Sequence, residues 1–273
     1  MPLFTVDTEK CVRDGICAAE CPIGIIAFDG KTVPEPCRDA EQMCINCGHC
    51  VAVCPTGALS LKNMPAEECP PVRKELALNP EQAEHFLRAR RSIRVYKEKT
   101  VDQDTLSNLI RIAGFAPSGH NGQPVQWLAV HDTAEVRKMT AQVADWMRHM
   151  IEEKNPLAGP LHLERVVTAW DKGKDAICRN APHLIVAHAP KADGSAPAAC
   201  TIALTCLELA AAPLGLGACW AGYFNLAANL WPPLQESLAL PKGNVSFGVM
   251  MIGYPKFKYH RLPLRKEPDI MWR

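Results

Sequence analysis

The sequence predicts an α+β protein in two parts, a small cysteine-rich domain followed by a larger domain of mixed helices and strands. Three observations carry this expectation. Nine of the 13 cysteines fall between Cys11 and Cys69. Within that region a short unit repeats: CAAECPIGIIAF at residues 17–28 matches CVAVCPTGALSL at residues 50–61, an internal duplication with pseudo-twofold character. Beyond it the apolar residues alternate between helical and strand spacing, as in an α+β domain. A proline-rich stretch of mixed charge, NMPAEECPPVRKELALN, separates the two patterns. The expected boundaries are residues 1–63 for the first domain, 64–79 for a linker and 80–273 for the second.

At 273 residues, 48% hydrophobic and 22% charged, the chain has enough apolar material for both cores. A formal net charge of +1 offers no general basic surface for nucleic acid. Residues 1–10 include Asp7 and Glu9 and lack an apolar run, unlike a secretory signal, and no stretch reads as a membrane span. Cysteines clustered beside Cys-Pro pairs differ from those of a secreted disulfide scaffold, so the expected compartment is the cytoplasm.

In the second part, 80–91 reads as a helix with Pro80 in its first turn. Leu106, Leu109, Ile110 and Ala113 mark a second helix over 102–116, and 134–153 is a long amphipathic one. Segments 125–130, 184–187 and 245–252 read as strands. The stretch 196–221 reads as a buried helix plus a turn. Its helical part, 198–214, is apolar almost all round and is expected at the centre of the domain or at a subunit interface.

The chemistry starts with Cys44, Cys47, Cys50 and Cys54, the last followed by Pro55: C-x2-C-x2-C-x3-C-P. Three thiolates at two-residue gaps wrap three irons of a cubane, and the fourth reaches the other cluster of a two-cluster domain. Zinc sites instead use two paired cysteine knuckles set well apart. The first half repeats the spacing as Cys11, Asp14, Cys17, Cys21 and Pro22, with Asp14 in place of the second cysteine. Crossing over, Cys21 joins Cys44, Cys47 and Cys50 in a [4Fe-4S] site. Cys11, Cys17 and Cys54 form the other with Asp14, as a [4Fe-4S] cluster or, with that iron lost, a [3Fe-4S] cluster. A carboxylate is the harder ligand. Asp14 followed by Gly15 is also a turn signal, so ligand and turn residue are both open readings. His49, between ligands, reads as exposed or hydrogen-bonded, and Cys37 and Cys69 receive no role. Cys178, Cys200, Cys206 and Cys219 read as small buried hydrophobes. The clusters are expected to staple so small a domain.

Two basic runs bracket the second part: Arg88, Arg90, Arg91 and Arg94, and Lys256, Lys258, Arg261, Arg265 and Lys266. Planar guanidinium forks suit phosphate oxygens. In an extended exit from the preceding helix, Ser92 and Arg94 are expected on one side. GLGACWAG at 215–222 is not a dinucleotide fingerprint, since its third glycine is misplaced and it follows a helix.

RRSIRVY, APSGHNGQPVQW, GLGACWAG and RLPLRK occur in an order that resembles the nitroreductase family of FMN enzymes. The N-terminal part resembles a two-cluster bacterial ferredoxin, and the whole chain resembles ferredoxin–nitroreductase fusions. The resemblance implies FMN at the interface of a homodimer. Arg90, Arg91, Ser92 and Arg94 would hold its phosphate and ribityl chain, and Pro117, Ser118, Gly119 and Asn121 would come from the partner subunit. The backbone of Trp220, Ala221 and Gly222 would approach the flavin edge. Arg265 and Lys266 would close on the phosphate, with Arg261 as the alternative, and Lys174 and Arg179 would lie near the ring.

The implied activity is that of a flavin oxidoreductase passing electrons from iron–sulfur clusters to FMN and reducing a small electrophilic, nitroaromatic-type acceptor. Reduced ferredoxin or a nicotinamide would be the donor. The flavin carries the chemistry, so no catalytic side chain is assigned. The alternative is an electron-transfer or redox-sensing module without a dedicated substrate.

Overall fold

A computed structural model describes residues 2–273. It divides into two compact units. One runs from the N-terminus to Ala77 and includes His120–Gly122; the other comprises Leu78–Gly119 and Gln123–Arg273.

In the first unit, β1 (Phe4–Val6) pairs antiparallel with β4 (Leu59–Leu61), and β2 (Ile26–Ala27) with β3 (Glu35–Pro36). Three one-turn helices complete it: α1 (Ile16–Ala19), α2 (Ala40–Met43) and α3 (His49–Ala52). The sequence repeat is a repeat of hydrogen bonds. Ala19 N–H donates to Gly15 O at 3.1 Å as Ala52 does to Gly48 O at 2.9 Å, and Glu20 to Ile16 O as Val53 to His49 O, both at 2.9 Å. Gly15 and Gly48 begin α1 and α3 at φ 72° and 74°, in the left-handed region that favours glycine. A side chain at either would collide with Phe28 or Met64. Phe4, Ile25, Ile26, Val51, Leu59 and Leu61 form a small core.

The second unit is a four-stranded antiparallel sheet in the order β5 (Gln126–Val130), β6 (His183–Pro190), β8 (Asn244–Gly253), β7 (Gly217–Trp220). Both faces are covered. Alternate residues of the central strands, Leu184, Val186, Val249 and Met251, face α6 (Thr133–Glu152), α7 (Leu163–Asp171), α9 (Gly222–Leu230) and α10 (Pro232–Leu238). Ile185, Ala187, Met250 and Ile252 pack with α5 (Gln103–Ala113) and α8 (Ala196–Ala211). Burial on two faces explains why the strand sequence LIVA is continuously apolar rather than alternating. The remaining helix, α4 (Pro80–Ala89), starts with a capping box: Asn79 Oδ1 accepts from Gln82 N–H at 2.8 Å and Gln82 Oε1 from Asn79 N–H at 3.0 Å.

A buried histidine fixes the approach to α5. His183 Nε2 accepts from Val101 N–H at 2.8 Å and its Nδ1 lies 2.7 Å from His131 O, so the ring is the neutral Nδ1–H form. His131 stacks on it at 4.7 Å and bonds Val101 O through Nε2 at 2.8 Å.

Several expectations need correction. The 196–221 segment contains strand β7 after its turn. Helix α8 begins at Ala196, not 198, and ends at Ala211. The helix expected over 102–116 stops at Ala113, before Gly114. Helices α7, α9 and α10 were not anticipated. Residues 64–79 hold two 3-10 turns, Ala66–Glu68 and Lys74–Leu76, and Met64, Ala66 and Cys69 pack on the first unit's core. Cys178, Cys200 and Cys219 are buried, but Cys206 is only half-buried.

Candidate cluster and flavin sites

No disulfide joins any two of the 13 cysteines. In the first unit, eight of the predicted ligand positions line two cavities in the crossed-over grouping. One has Cys11, Asp14, Cys17 and Cys54 in its wall. The other has Cys21, Cys44, Cys47 and Cys50. Among the described residues no three His, Cys, Asp or Glu side chains converge closely enough to hold a single metal ion. The thiols surround cavities instead, a donor set that fits a multi-iron cluster. Burial pushes the Cys17 thiol up and the Cys50 thiol to about 11. Burial also acts on Cys54, but the N–H groups of Thr56, Ala58 and Leu59 and the Thr56 hydroxyl outweigh it and hold that thiol below its ordinary value. Asp14 Oδ1 accepts from Ile16 N–H at 3.2 Å, a turn bond made by an exposed side chain that also lines the first cavity. His49 is exposed. Cys37 Sγ lies 3.9 Å from Gly24 O, and Cys69 Sγ 3.4 Å from Pro65 O.

In the second unit, the RRSIR segment leaves α4 and lies along β7. Ile93 N–H donates to Ala218 O at 2.9 Å, and the Ile93 side chain occupies the space above Gly217, where an added Cβ would come within 2.5 Å. Lys97 N–H to Tyr254 O at 2.8 Å and Lys256 N–H to Val95 O at 3.0 Å continue the strip. Its side chains separate. Arg90 and Arg91 line a cavity of about 280 Å3 with Phe86, Glu208, Phe257 and Tyr259. Arg90 Nη1 is 2.7 Å from the buried Glu208 Oε1. Ser92 lies close to the Cys219 thiol. Burial raises that thiol, and the nearby charges of Arg94 and Arg179 oppose the rise. Burial also raises the Tyr96 hydroxyl, against Arg179 and Arg94. Arg94 and Arg179 thus both lie near the Cys219 thiol and the Tyr96 hydroxyl.

Pro117 and Ser118 line a different cavity of about 120 Å3, with Gln123, Trp127, Ala199 and Ala203. Ser118 Oγ accepts from Gln123 N–H at 3.0 Å, closing the loop. Gly119 sits 3.6 Å from Ser195 Cβ, measured to an added Cβ. Asn121 falls with the first unit, where its amide donates to Ile45 O at 3.3 Å and Asn46 O at 2.9 Å. Trp220 is partly exposed, Ala221 is buried and donates its N–H to Val249 O at 2.8 Å, and Gly222 is open to solvent at the start of α9. Arg261, Arg265, Lys266 and Lys174 are exposed. The tail residues in the cavity wall are Phe257 and Tyr259 rather than Arg265 and Lys266.

Sequence reasoning missed Glu208, Phe257 and Tyr259. An acidic residue inside an apolar helix was the available signal for Glu208; its partner lies 118 residues away.

The pattern of the nitroreductase family matches residues 87–254, and that of a 4Fe-4S dicluster domain matches residues 10–58. A protein of Archaeoglobus fulgidus named as an NADH dehydrogenase/NAD(P)H nitroreductase is 26% identical over 200 residues, 71% of this chain and 98% of that one. A nitroreductase with bound FMN from Bacteroides fragilis shares the fold at TM-score 0.53 and 21% identity, over 71% of this chain and 96% of that one. One with bound FMN from Desulfitobacterium hafniense does so at TM-score 0.54 and 21% identity, over 70% and 96%. Fold and family patterns together define a flavin oxidoreductase with an attached iron–sulfur domain. The chain belongs to the nitroreductase family.

Proposed function

We propose that this chain binds FMN and two iron–sulfur clusters, passes electrons from the clusters to the flavin, and reduces a small electrophilic acceptor of the nitroaromatic type. The observation that carries the reading is the presence, in one chain, of two thiol-lined cavities and a nitroreductase domain. Tethering raises the effective concentration of donor at acceptor without any new contact.

The ligands assigned are Cys21, Cys44, Cys47 and Cys50 for one cluster, and Cys11, Cys17 and Cys54 with Asp14 for the other. Arg90 and Arg91 are candidates to hold a phosphate, since both line one cavity and guanidinium forks suit phosphate oxygens. Glu208 holds the Arg90 fork in place. Arg94 and Arg179 put positive charge near Cys219, where it would favour an anionic, electron-rich ring bound there. Bound FMN supplies hydride and single-electron chemistry.

The proposed assembly is a homodimer. Two features support it. Arg90–Arg91 and Pro117–Ser118 line different cavities of the same chain. The outer face of α8 carries Ala198, Ile202 and Leu209 with no charge, and Thr201 and Thr205 turn their hydroxyls back to Pro197 O and Thr201 O, each at 2.8 Å. The donor is a reduced ferredoxin or a nicotinamide, the latter as named for the relatives, and the proposed location is the cytoplasm. Among the described residues no helix is long and apolar enough to cross a membrane.

Purified, reconstituted protein is expected to contain FMN and roughly seven to eight iron atoms per chain, from the two cluster stoichiometries. It should turn over nitroaromatics with a reduced ferredoxin or nicotinamide. Zinc without acid-labile sulfide would sink the cluster reading. Full cofactor content without turnover across a panel of electrophiles would leave an electron-transfer module instead.

A further inference from the structure

The two halves of the first unit match in spacing and backbone bonding, so a side chain that differs between them in a ligand's surroundings stands out. Thr56 lies where the first half has Ile23. Its Oγ1 is 3.7 Å from Cys54 Sγ, and the buried Ala58 N–H donates to the same sulfur at 3.2 Å. Thr56, Arg13 and Asp14 all stand in the wall of the Cys54 cavity. Aliphatic side chains wall both cavities, among them Val6, Ile16 and Leu59 in this one and Leu3, Ile25 and Leu61 in the other, so the difference lies in Thr56 and the hydrogen bonds to sulfur. In the other cavity one peptide bond reaches a sulfur, from Asn46 N–H to Cys44 Sγ at 3.4 Å.

Reducing a cluster adds negative charge that spreads onto its sulfurs. Hydrogen bonds to those sulfurs favour the added charge and raise the potential, and at the Cys54 site the Arg13 guanidinium acts in the same direction and the Asp14 carboxylate against it. We propose that Thr56 is a potential-setting residue: its hydroxyl, with the Ala58 amide, holds the Cys11/Cys17/Cys54 site at a higher reduction potential than the Cys21/Cys44/Cys47/Cys50 site. Once a cluster is bound, the Cys54 sulfur is a thiolate and the hydroxyl is the donor. The inference rests on the crossed-over ligand assignment proposed above.

The test is an anaerobic dithionite titration of the full-length holoprotein, followed by electron paramagnetic resonance. Each variant is first checked for parent levels of iron and acid-labile sulfide. The parent should show two midpoints. Thr56→Val, which keeps the shape and removes the donor, should lower the higher midpoint and leave the lower one in place, and Thr56→Ser should stay near the parent. Asp14→Cys marks the site, because it should alter the same signal that Thr56→Val moves. If the two variants act on different signals, the ligand assignment fails. If Thr56→Val moves neither midpoint, moves both equally, or acts on the lower one, the role given to Thr56 is wrong.

Discussion

Glu208 shows what a single position can hide. It lies on a helix whose buried neighbours are Ala, Cys and Leu, and in the sequence it says only that the segment is no membrane span. Its meaning comes from Arg90, which only the fold brings within 2.7 Å. The cysteines are the opposite case: their chemistry is written in local spacing, and each half-motif needs only a glycine turn to aim it. His183 belongs with Glu208, since nothing near it in sequence reveals Val101. Its proton-free Nε2 accepts the Val101 N–H, and burial, together with the adjacent His131 charge, holds its pKa below the ordinary 6.5 despite its bond to His131 O. On acidification the unfolded chain therefore takes up this proton first, so the stability contributed by the neutral ring is complete above about pH 6.5 and is lost as pH falls from there toward the folded-state value. Denaturant midpoints for the second unit should decline over that range. His183→Gln, which can still accept from Val101 but cannot titrate, should show a shallower decline. An equal decline in parent and variant would assign the effect to other groups.

At the scale of elements, strong periodicity was legible and short pieces were not. Helices α5 and α6 and the three longer strands follow from apolar spacing and from caps such as Asp102, whose side chain accepts from Thr105 N–H at 2.8 Å. Strand β7 was not legible because GLGACW looks like a glycine loop. It is a strand because Met250 and its neighbours in β8 pair with it, and its first glycine makes room for Ile93. Likewise α9 opens on Gly222 and α10 on two prolines, so neither carries an apolar stripe long enough to read. The packing of Ile93 on Gly217 predicts the effect of Gly217→Ala. The new methyl would displace Ile93 and with it the exit that carries Arg90 to Arg94. Overpacking of this kind lowers folding stability by about 1–3 kcal/mol, and because the displaced strip carries the residues assigned to the flavin phosphate, FMN affinity measured by equilibrium dialysis should fall as well. Unchanged affinity with a folded protein would mean that this strip does not position the flavin phosphate.

For the whole molecule, the division into a cysteine-rich and an α+β part was legible because composition changes sharply near residue 63. The cut between Ala77 and Leu78 was less so, since Met64, Ala66 and Cys69 add to the first core from a stretch that reads as linker. In the proposed mechanism the clusters of this chain reduce its own flavin. The most direct measurement is the rate of FMN reduction, followed anaerobically by rapid mixing with a reduced low-potential ferredoxin. The comparison is between the parent and FMN-loaded Cys44→Ser and Cys50→Ser variants. Intramolecular delivery predicts that reduction by the ferredoxin slows greatly in both variants, while dithionite still reduces their FMN. Reduction at the parent rate in a folded, FMN-loaded variant lacking both clusters would contradict it and leave the clusters as structural staples.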